Sequence, residues 1–414
     1  MSMFKTDKKK LYIGLDFSGD NAMISFTTDS LDNPSTLSIT PGREEFSIPL
    51  YMCYQREEKR FSYGDEALRF SRAGMGELYD MILSRACKGQ KALVDGEAYE
   101  YTRLLARFIK RLVRMCETMM PDHTADQLVL TVESLTLNVI ETFDKVIEML
   151  EIPDMKVHIM DHRECFYYYA LSQPADLSQN NIALFEYENE ILKGMCLKRL
   201  QKSYPQLVDI EERDFGNIAY SPDDCFSDAI TQMFGKDIYS SAYLVGNGFS
   251  EGWMKDSLKL LCRGRRAFQG QNLYSKGASY AARISGGSVK WGYVYMGLHT
   301  MKFNVSIKVS DGGNTSFLTL VSAGGRWFES SGNCQVILDG ENAVDFWIHL
   351  PDRRDAKIEN FLLRGLPDRE NKTTRVDITA KPVSDHEVRL IIKDLGFGEI
   401  APSSGKVWEA LISV

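Results

Sequence analysis

Up to about residue 285, the chain alternates short apolar runs with longer amphipathic patterns. Runs of strand length occur at residues 11–15, 22–27, 128–132, 156–160, 182–186 and 242–246. Between them, residues 98–120 and 135–150 place apolar side chains at helical spacing, which predicts two helices whose apolar stripes face a core. Strands that alternate with helices favour a layered α/β architecture for this part of the chain.

The pattern changes near residue 286. Apolar residues at 301, 303, 305, 307 and 309 alternate with mostly polar ones, as in a strand with one buried face. Glycine, asparagine and aspartate clusters separate further predicted strands at 317–322, 334–338, 344–349, 375–381 and 387–393. The sequence therefore predicts an α/β domain at 1–285 and an antiparallel β-sandwich domain at 286–414.

Two predicted turns combine glycines with polar side chains. Near the N-terminus, an apolar strand runs into Asp16, Ser18 and Gly19 before a second strand begins, which is typical of a β-hairpin. Further along, a buried strand turns on Gly246 and Gly248, and the predicted helix after it presents unpaired backbone N–H groups. Glycine at such turns lets the backbone approach a ligand closely. Both turns are therefore candidate ligand-binding segments.

Several segments, taken in order, resemble the seventy-kilodalton heat-shock chaperone family of the actin-like ATPase superfamily. Residues 48–52 and 61–67 resemble the family's stretch "P-S-Y-V … G-D-A-A", and residues 156–171 resemble the strand and helix that carry "N-E-P-T-A-A". Residues 363–367 resemble the "L-x-G-I-P" pattern of its substrate-binding β-sandwich. The chain thus resembles a shortened, divergent member of this family over nearly its whole length.

This resemblance implies an actin-like domain, a duplicated ribonuclease-H-like α/β fold lacking one subdomain, at 1–285. It implies a β-sandwich similar to the substrate-binding domain at 286–414. It also implies a site for ATP or ADP with Mg²⁺. The positions of this sequence that correspond to the nucleotide motifs are Asp16, Ser18, Gly19, Glu186, Gly246, Asn247 and Gly248.

The nucleotide motifs depart from the family pattern in separate places. Leu68 stands where the family has a lysine that positions the attacking water, and Asp20 is expected to place a carboxylate against phosphate oxygens. The turn of the second phosphate motif has no glycine, and Glu186 is interpreted as part of a solvent-exposed hairpin, with a role toward a metal as the alternative. Only residues 198–242 separate this turn from the strand before Gly246, so the subdomain that closes over adenine and ribose is missing.

Because these losses fall on different parts of one site, we expect no enzyme activity, no catalytic residue and no bound cofactor. The preferred hypothesis is a non-catalytic, chaperone-like scaffold or protein-binding protein with a decayed ATPase site. One alternative is a slow or switch-like chaperone ATPase that binds ATP or ADP with Mg²⁺. Another is a structural component of a bacterial assembly. We expect a protein or extended peptide as partner, held by the β-sandwich at loops near residues 321–328 and 342–347.

Composition narrows the function classes further. The formal net charge of −8 argues against a nucleic-acid binder, which depends on basic patches. No window approaches about 20 continuous apolar residues, so no membrane-spanning helix is predicted. The N-terminal residues lack the apolar core of a signal peptide, which favours a cytoplasmic location. The eight cysteines and six histidines are scattered, without the clustered ligands of a zinc site, so no metal site is predicted.

Overall fold

The computed structural model describes residues 8–38, 44–152, 154–200, 205–353 and 355–414. The chain divides into two compact units. The first comprises Met1–Lys198 and Ile210–Trp291, and the second comprises Arg199–Asp209 and Gly292–Val414. The short segment Arg199–Asp209 therefore belongs with the C-terminal part of the chain, although both its sequence neighbours belong to the first unit.

Helices and strands alternate along the first unit, whereas strands predominate in the second. The strands are β1 (Lys9–Ser18), β2 (Asn21–Thr28), β3 (Ser35–Thr36), β4 (Ile48–Pro49), β5 (Met52–Gln55), β6 (Arg60–Tyr63), β7 (Gly76–Tyr79), β8 (Lys91–Val94), β9 (Glu97–Glu100), β10 (His123–Val132), β11 (Lys156–Asp161), β12 (Asn181–Glu188), β13 (Ile191–Arg199), β14 (Gln206–Asn217), β15 (Tyr239–Val245), β16 (Arg266–Gln269), β17 (Tyr293–Tyr295), β18 (Asn304–Asp311), β19 (Asn314–Val321), β20 (Gly332–Ile337), β21 (Ala343–His349), β22 (Ala356–Leu362), β23 (Arg375–Pro382), β24 (Glu387–Gly396) and β25 (Val407–Ser413). The helices are α1 (Gly64–Arg72), α2 (Ile82–Cys87), α3 (Tyr101–Met119), α4 (Leu137–Leu150), α5 (His162–Leu171), α6 (Ala175–Ser178), α7 (Pro222–Phe234), α8 (Asp256–Leu261) and α9 (Leu273–Ser285), with a 3₁₀ helix at Asn247–Glu251.

The predicted mixed α/β character is confirmed. Each strand-length apolar run of the N-terminal part coincides with a strand, although the run 242–246 extends one residue beyond β15, and the two amphipathic patterns form α3 and α4. In α3 the apolar stripe is buried and the opposite face is exposed, as helical periodicity requires. Among the described residues, no helix is both long enough and apolar enough to cross a membrane.

Two sheets of the first unit have the same strand order. One runs β11-β10-β1-β2-β3, and the other runs β16-β15-β12-β13-β14. In the first sheet β1 is antiparallel to β2 and parallel to β10, which is parallel to β11. In the second sheet β12 is antiparallel to β13 and parallel to β15, which is parallel to β16. The strands β1 and β12 therefore occupy equivalent positions in their sheets.

Helix α9 follows the second sheet in sequence but packs on the first. It contacts β1, β2 and β10, and it also packs against α5. A Cβ atom at Gly14 of β1 would lie 2.2 Å from the carbonyl oxygen of Ser275 in α9, so only glycine permits this close approach. The contact brings α9 to the carboxyl end of β1, where the cleft described below is located.

The second unit is built mainly from two antiparallel sheets of four strands each. Their orders are β19-β18-β21-β22 and β20-β23-β24-β25. Side chains from both sheets enter one apolar core, which includes Phe303, Phe346, Val376 and Ile392. The many strands expected in this part of the chain are confirmed.

Some local predictions for the second unit need correction. The predicted strand at 344–349 corresponds to β21, so the expectation that residues 342–347 form a loop is wrong from Ala343 onward. Trp327 packs against the apolar core, as expected for a large aromatic side chain in the predicted loop at 321–328. Strands β22 and β25 were not predicted, because their outward positions also hold apolar residues such as Ile358 and Leu411, which obscures the alternation of polar and apolar side chains.

Candidate functional site

The carboxyl ends of β1 and β12 meet at a cleft of about 410 Å³ within the first unit. Parallel strands present their carboxyl ends at one sheet edge, which is where open α/β sheets place their ligands. The loop after β10, the start of α5, the turn after β15 and the start of α9 complete the lining. The described lining residues are Asp16, Phe17, Ser18, Gly19, Asn21, Met23, Ser47, Glu133, His162, Glu186, Glu188, Asn189, Val245, Gly246, Asn247, Gln271 and Tyr274.

Most of the positions that the resemblance singled out come together in this cleft. Those that line it are Asp16, Ser18, Gly19, Glu186, Gly246 and Asn247, whereas Gly248 is not among the described lining residues. The two glycine-containing turns, far apart in sequence, therefore face one cavity.

Asp20, expected to lie against phosphate oxygens, is not among the described residues that line the cleft. Burial raises the pKa of Asp20, and Asp80 raises it further, while Arg85 acts in the opposite direction. Leu68, the position of the family's lysine, is half-buried in α1 and also absent from the described lining.

The buried side chain of His162 lines the cleft and contacts Asp16. It is the first residue of α5, and the preceding Asp161 caps that helix by accepting a hydrogen bond from the backbone N–H of Glu164 at 2.8 Å. The Nε2 atom of His162 lies 2.7 Å from Oδ1 of Asp16, and each side chain is only 3% exposed. The hydroxyl of Ser18 donates to the other carboxylate oxygen of Asp16 at 3.0 Å. Both oxygens of Asp16 are thus engaged by the protein itself.

The surroundings of His162 favour its charged form. Burial by itself lowers the pKa of His162, but the charge and hydrogen bond of Asp16 raise it, and so do Glu186 and Asp161. The net effect is a pKa above the ordinary value. Within the described part of the chain, Nδ1 of His162 is buried and has no hydrogen-bond partner.

Tyr274 connects His162 to the second sheet. The two rings are stacked with centroids 3.8 Å apart at an angle of 11°, and the hydroxyl of Tyr274 donates to Oε2 of Glu186 at 2.9 Å. Burial raises the pKa of Glu186, while His162 and the Tyr274 hydroxyl act to lower it. The interpretation of Glu186 as part of a solvent-exposed hairpin is therefore wrong. We call the side chains of Asp16, His162, Tyr274 and Glu186 the cleft latch, because they link β1 to β12.

Hydrogen bonds between Glu188 and Asn247 hold the turn after β15. One carboxylate oxygen of Glu188 accepts a hydrogen bond from the backbone N–H of Asn247 at 2.7 Å, and the other accepts from its side-chain amide at 3.3 Å. Backbone N–H groups at such a turn are the donors that an anion would use. Here the N–H of Asn247 already donates to the carboxylate of Glu188. The helix predicted directly after the turn is a short 3₁₀ segment, and α8 begins only at Asp256.

The glycines of this turn accommodate Tyr187. A Cβ atom at Gly246 would lie 2.3 Å from the carbonyl oxygen of Tyr187, and one at Gly248 would lie 2.2 Å from Cδ1 of its ring. Gly246 also has a φ of +100°, which side chains with a Cβ rarely adopt. Close packing of Tyr187 accounts for both glycines, so neither is by itself a sign of a ligand.

Two further ion pairs join elements of the two sheets. Nζ of Lys193 in β13 lies 2.7 Å from Oε1 of Glu133, which follows β10, and this hydrogen bond lowers the pKa of Glu133. Nε of Arg163 in α5 donates to Oε2 of Glu212 in β14 at 3.0 Å. Both pairs are partly exposed, so each adds little stability, but they span the same boundary as the cleft latch.

The cleft is strongly acidic. Its described lining holds four carboxylates, from Asp16, Glu133, Glu186 and Glu188, and no lysine or arginine. A triphosphate there would face carboxylates at short range, which is unfavourable. Among the described residues, no group of three or more histidine, cysteine, aspartate or glutamate side chains has an arrangement suited to a metal ion.

Reasoning from the sequence missed His162, Tyr274 and Glu133. Glu133 and His162 stand directly after β10 and β11, which are parallel to β1, so the carboxyl ends of neighbouring parallel strands were the signal that could have found them. Tyr274 had no such signal, because it reaches the cleft only through the packing of α9 on β1.

Comparison with protein families gives two matches. Residues 33–298 match the family described as "Family of unknown function (DUF5716) C-terminal", and residues 300–414 match "Domain of unknown function (DUF8552)". The first match covers more than half of the chain. No curated protein matches the sequence.

Proposed function

The chain belongs to the family of unknown function DUF5716 (C-terminal), and we propose that it acts in the cytoplasm as a non-catalytic, chaperone-like scaffold that binds a protein partner. Its first unit is proposed to be an actin-like domain whose nucleotide site has decayed. Its second unit is proposed to be a β-sandwich that carries the partner surface.

The repeated strand order of the first unit supports the actin-like assignment. Two sheets with the same sequence of antiparallel and parallel neighbours, β1 equivalent to β12, are what a duplicated ribonuclease-H-like fold requires. The cleft lies where such folds bind a nucleotide, at the carboxyl ends of these two strands. Fold alone does not decide function, so the proposal depends on the chemistry of the cleft.

The cleft latch is the observation that carries the proposal. In an ATPase of this architecture, phosphates and Mg²⁺ would bridge the two sheets. Here His162 supplies the positive charge next to Asp16, and Tyr274 and Glu186 complete the connection to the second sheet. Asp16 and Glu186 thus already have hydrogen-bond partners within the chain, His162 and Tyr274, and do not need a nucleotide or Mg²⁺ as partner. A scaffold joined in this way holds its sheets together without a nucleotide.

The partner surface is proposed to lie on the outward face of the sheet β19-β18-β21-β22. Trp347 of β21 pairs with Ile358 of β22, and its ring lies 5.1 Å from that of Phe317 in β19. Phe317 is 55% exposed and Ile358 is 48% exposed. Because side chains alternate along a strand, these three residues face away from the core that Phe346 enters. Contiguous exposed apolar side chains of this kind mark interaction surfaces.

Nucleotide titration tests the first half of the proposal. The full-length protein is heated with Mg-ATP or Mg-ADP at millimolar concentration, and its melting temperature is compared with that of the free protein. A ligand present at 100 times its dissociation constant stabilises a fold by about 2.7 kcal/mol, which such a measurement detects easily. We expect no shift and no phosphate release, and Leu68→Lys alone should not restore hydrolysis. Mg²⁺-dependent phosphate release that Asp16→Asn abolishes would instead establish the ATPase alternative.

Charge insertion on the sheet face tests the second half. The full-length chain and its Phe317→Lys/Ile358→Lys variant are used to capture proteins from native lysate, which are identified by quantitative mass spectrometry. The matched control is Val407→Lys/Leu411→Lys, which places the same charges on exposed apolar positions of β25. Loss of the captured set in the first variant alone supports the surface. Loss in the control alone, or equal capture by all forms, contradicts it.

A further inference from the structure

The outer face of α3 carries a row of cationic side chains that the cleft does not use. They recur at the spacing of helical turns, on the side opposite the buried apolar stripe, and they are Arg103, Arg107, Lys110, Arg111 and Arg114. The row covers about 16 Å of helix at 1.5 Å per residue. The members of the row are spread over residues 103–114, and only Lys110 and Arg111 are adjacent in the sequence.

These cations line a groove of about 520 Å³ on the surface of the first unit. Tyr63 and Tyr99 contribute to its lining, and Glu151 is its only carboxylate among the described lining residues. Burial raises the pKa of Tyr63, whereas Arg107, Arg111 and Arg114 lower it, which reflects how close the three guanidinium groups lie to this hydroxyl. The groove therefore concentrates positive charge on a chain whose net charge is −8.

Aromatic rings hold part of the row in place. Nε of Arg107 donates to the hydroxyl of Tyr99 at 2.7 Å. The guanidinium carbons of Arg103 and Arg107 lie 5.8 Å and 6.0 Å from the centre of the Tyr99 ring, within the range of cation–π attraction. Arg107 also lies 5.4 Å from the ring centre of Phe61. These contacts orient the side chains before any partner arrives, which lowers the entropy lost on binding.

The charges of the row are largely uncompensated. In the part of the chain that the structure describes, Arg111 and Arg114 are exposed and take part in no ion pair. Lys110 pairs with Glu151 at 3.2 Å, and that carboxylate is 81% exposed, so the pair exchanges readily with solvent and with other anions. Several guanidinium groups are thus free to bind carboxylates in bidentate fashion.

We propose that this groove, which we call the α3 groove, binds an acidic segment of a partner protein. An extended peptide advances about 3.3 Å per residue, so the row matches roughly five residues. Because side chains of an extended segment alternate in direction, about three carboxylates of a five-residue acidic segment can face the groove and meet its guanidinium groups. This inference concerns a site distant in sequence from the proposed sheet surface and does not depend on it.

The same geometry disfavours nucleic acid as the occupant. Proteins that bind single strands offer open aromatic faces on which bases stack. In the α3 groove, the ring of Tyr99 lies beneath Arg103 and Arg107 and is not free for stacking. Backbone binding to a duplex relies on a longer track of cations, commonly 6–10 phosphate contacts. A short acidic peptide requires only a groove of this length.

Fluorescence anisotropy with the full-length protein tests the proposal. The probe is a fluorescein-labelled hexaglutamate peptide, compared with hexaglutamine, a ten-residue oligothymidylate and vesicles of anionic phosphatidylserine. We expect hexaglutamate to bind and hexaglutamine not to bind. Raising the salt from 50 to 200 mM should weaken hexaglutamate binding several-fold, because ion pairs at an exposed groove are screened. Tighter binding of the oligonucleotide or of the vesicles would overturn the choice of partner.

Matched charge reversals test the location. Arg111→Glu/Arg114→Glu should weaken hexaglutamate binding at least tenfold, and the charge-preserving Arg111→Lys/Arg114→Lys should weaken it less. The control Arg69→Glu/Arg72→Glu makes the same change in net charge, at the same three-residue spacing, on exposed positions of α1. Unchanged melting temperatures establish that each variant is folded. Equal weakening by the two charge-reversal variants would show that only net charge matters and would refute the α3 groove.

Discussion

Nε2 of His162 lies 2.7 Å from Oδ1 of Asp16, with both side chains almost fully buried. Asp16 lies near the carboxyl end of β1, whereas His162 begins α5, so the contact joins two elements that are far apart in sequence. Through Tyr274 the connection continues to Glu186 in the second sheet. The cleft latch therefore links β1 to β12 through the chain's own side chains, and its energetics can be measured.

The first prediction concerns the coupling of Asp16 and His162. Asp16→Asn should destabilise the first unit by about 3 kcal/mol at pH 6, because removing one member of a buried ion pair leaves the other without compensation. The double variant Asp16→Asn/His162→Gln should lose less than the sum of the single variants. Urea unfolding of all forms measures the coupling. The exposed pair Lys259 and Asp256 is the control, and the same cycle there should give no measurable coupling. Additive losses at Asp16 and His162 would contradict a coupled pair.

The second prediction is a pH dependence of stability. The pKa of His162 is raised in the folded chain, so the stability from its protonation is fully present below about pH 6.5 and is lost as pH rises through the folded pKa. The groups that face His162 are Asp16, Glu186, Asp161 and Tyr274. Glu186 also has a raised pKa, and its contribution has the same sign but begins to fade from about pH 4.5.

The melting temperature of the wild-type chain should therefore fall between pH 6.5 and pH 9, and His162→Gln should flatten that fall. Glutamine keeps a hydrogen-bond donor for Asp16 but cannot titrate. His386→Gln is the control, since His386 is exposed and pairs only with its neighbour Asp385 among the described residues. A slope unchanged by His162→Gln would assign the pH dependence to other groups.

The third prediction separates packing from ligand binding at the turn after β15. Gly248→Ala should destabilise the first unit by roughly 1–3 kcal/mol, because its Cβ would overlap the ring of Tyr187. Gly270→Ala is a matched control in the same unit, since its Cβ would meet only the side-chain oxygen of Asn272 at 3.9 Å. Thermal unfolding measures both. Tyr187→Leu combined with Gly248→Ala should recover part of the loss, and no recovery would argue against the packing explanation.

The fourth prediction concerns a buried ion pair of the second unit. Both amino nitrogens of Arg369 lie 2.9 Å from the carboxylate oxygens of Asp394, which also accepts hydrogen bonds from Ser404 and from the backbone of Gly396. Burial by itself raises the pKa of Asp394, but these donors hold it below its usual range. Asp394→Asn should therefore destabilise the second unit by about 3 kcal/mol in urea unfolding. Asp339→Asn, at an exposed pair in the same unit, should change stability far less.

Much of the secondary structure followed from the residue pattern. Runs such as 11–15 and 128–132 are mostly apolar because both faces of their strands are covered, and such runs are recognisable without knowledge of the fold. The stripe of α3 was equally clear, since one face is buried along its whole length. Strands such as β22 were missed where exposed apolar residues interrupt the alternation.

The candidate cleft was only partly predictable. The turns at Asp16 and Gly246 were expected to share one site, and the structure brings them to one cavity. Glu186 was misjudged because burial of a carboxylate depends on the tyrosine that donates to it, and Tyr274 lies in a helix from another part of the chain. Sequence spacing carries no information about such a contact.

The sequence alone determined the alternation of strands and helices and the change to alternating strands near residue 286, because each depends on the local period of side chains. Only the tertiary structure decided that His162 contacts Asp16, that Tyr274 donates to Glu186, and that Glu188 accepts the N–H of Asn247. Those relations depend on how β1, β12, α5 and α9 pack, and packing selects among partners that local periodicity leaves equivalent.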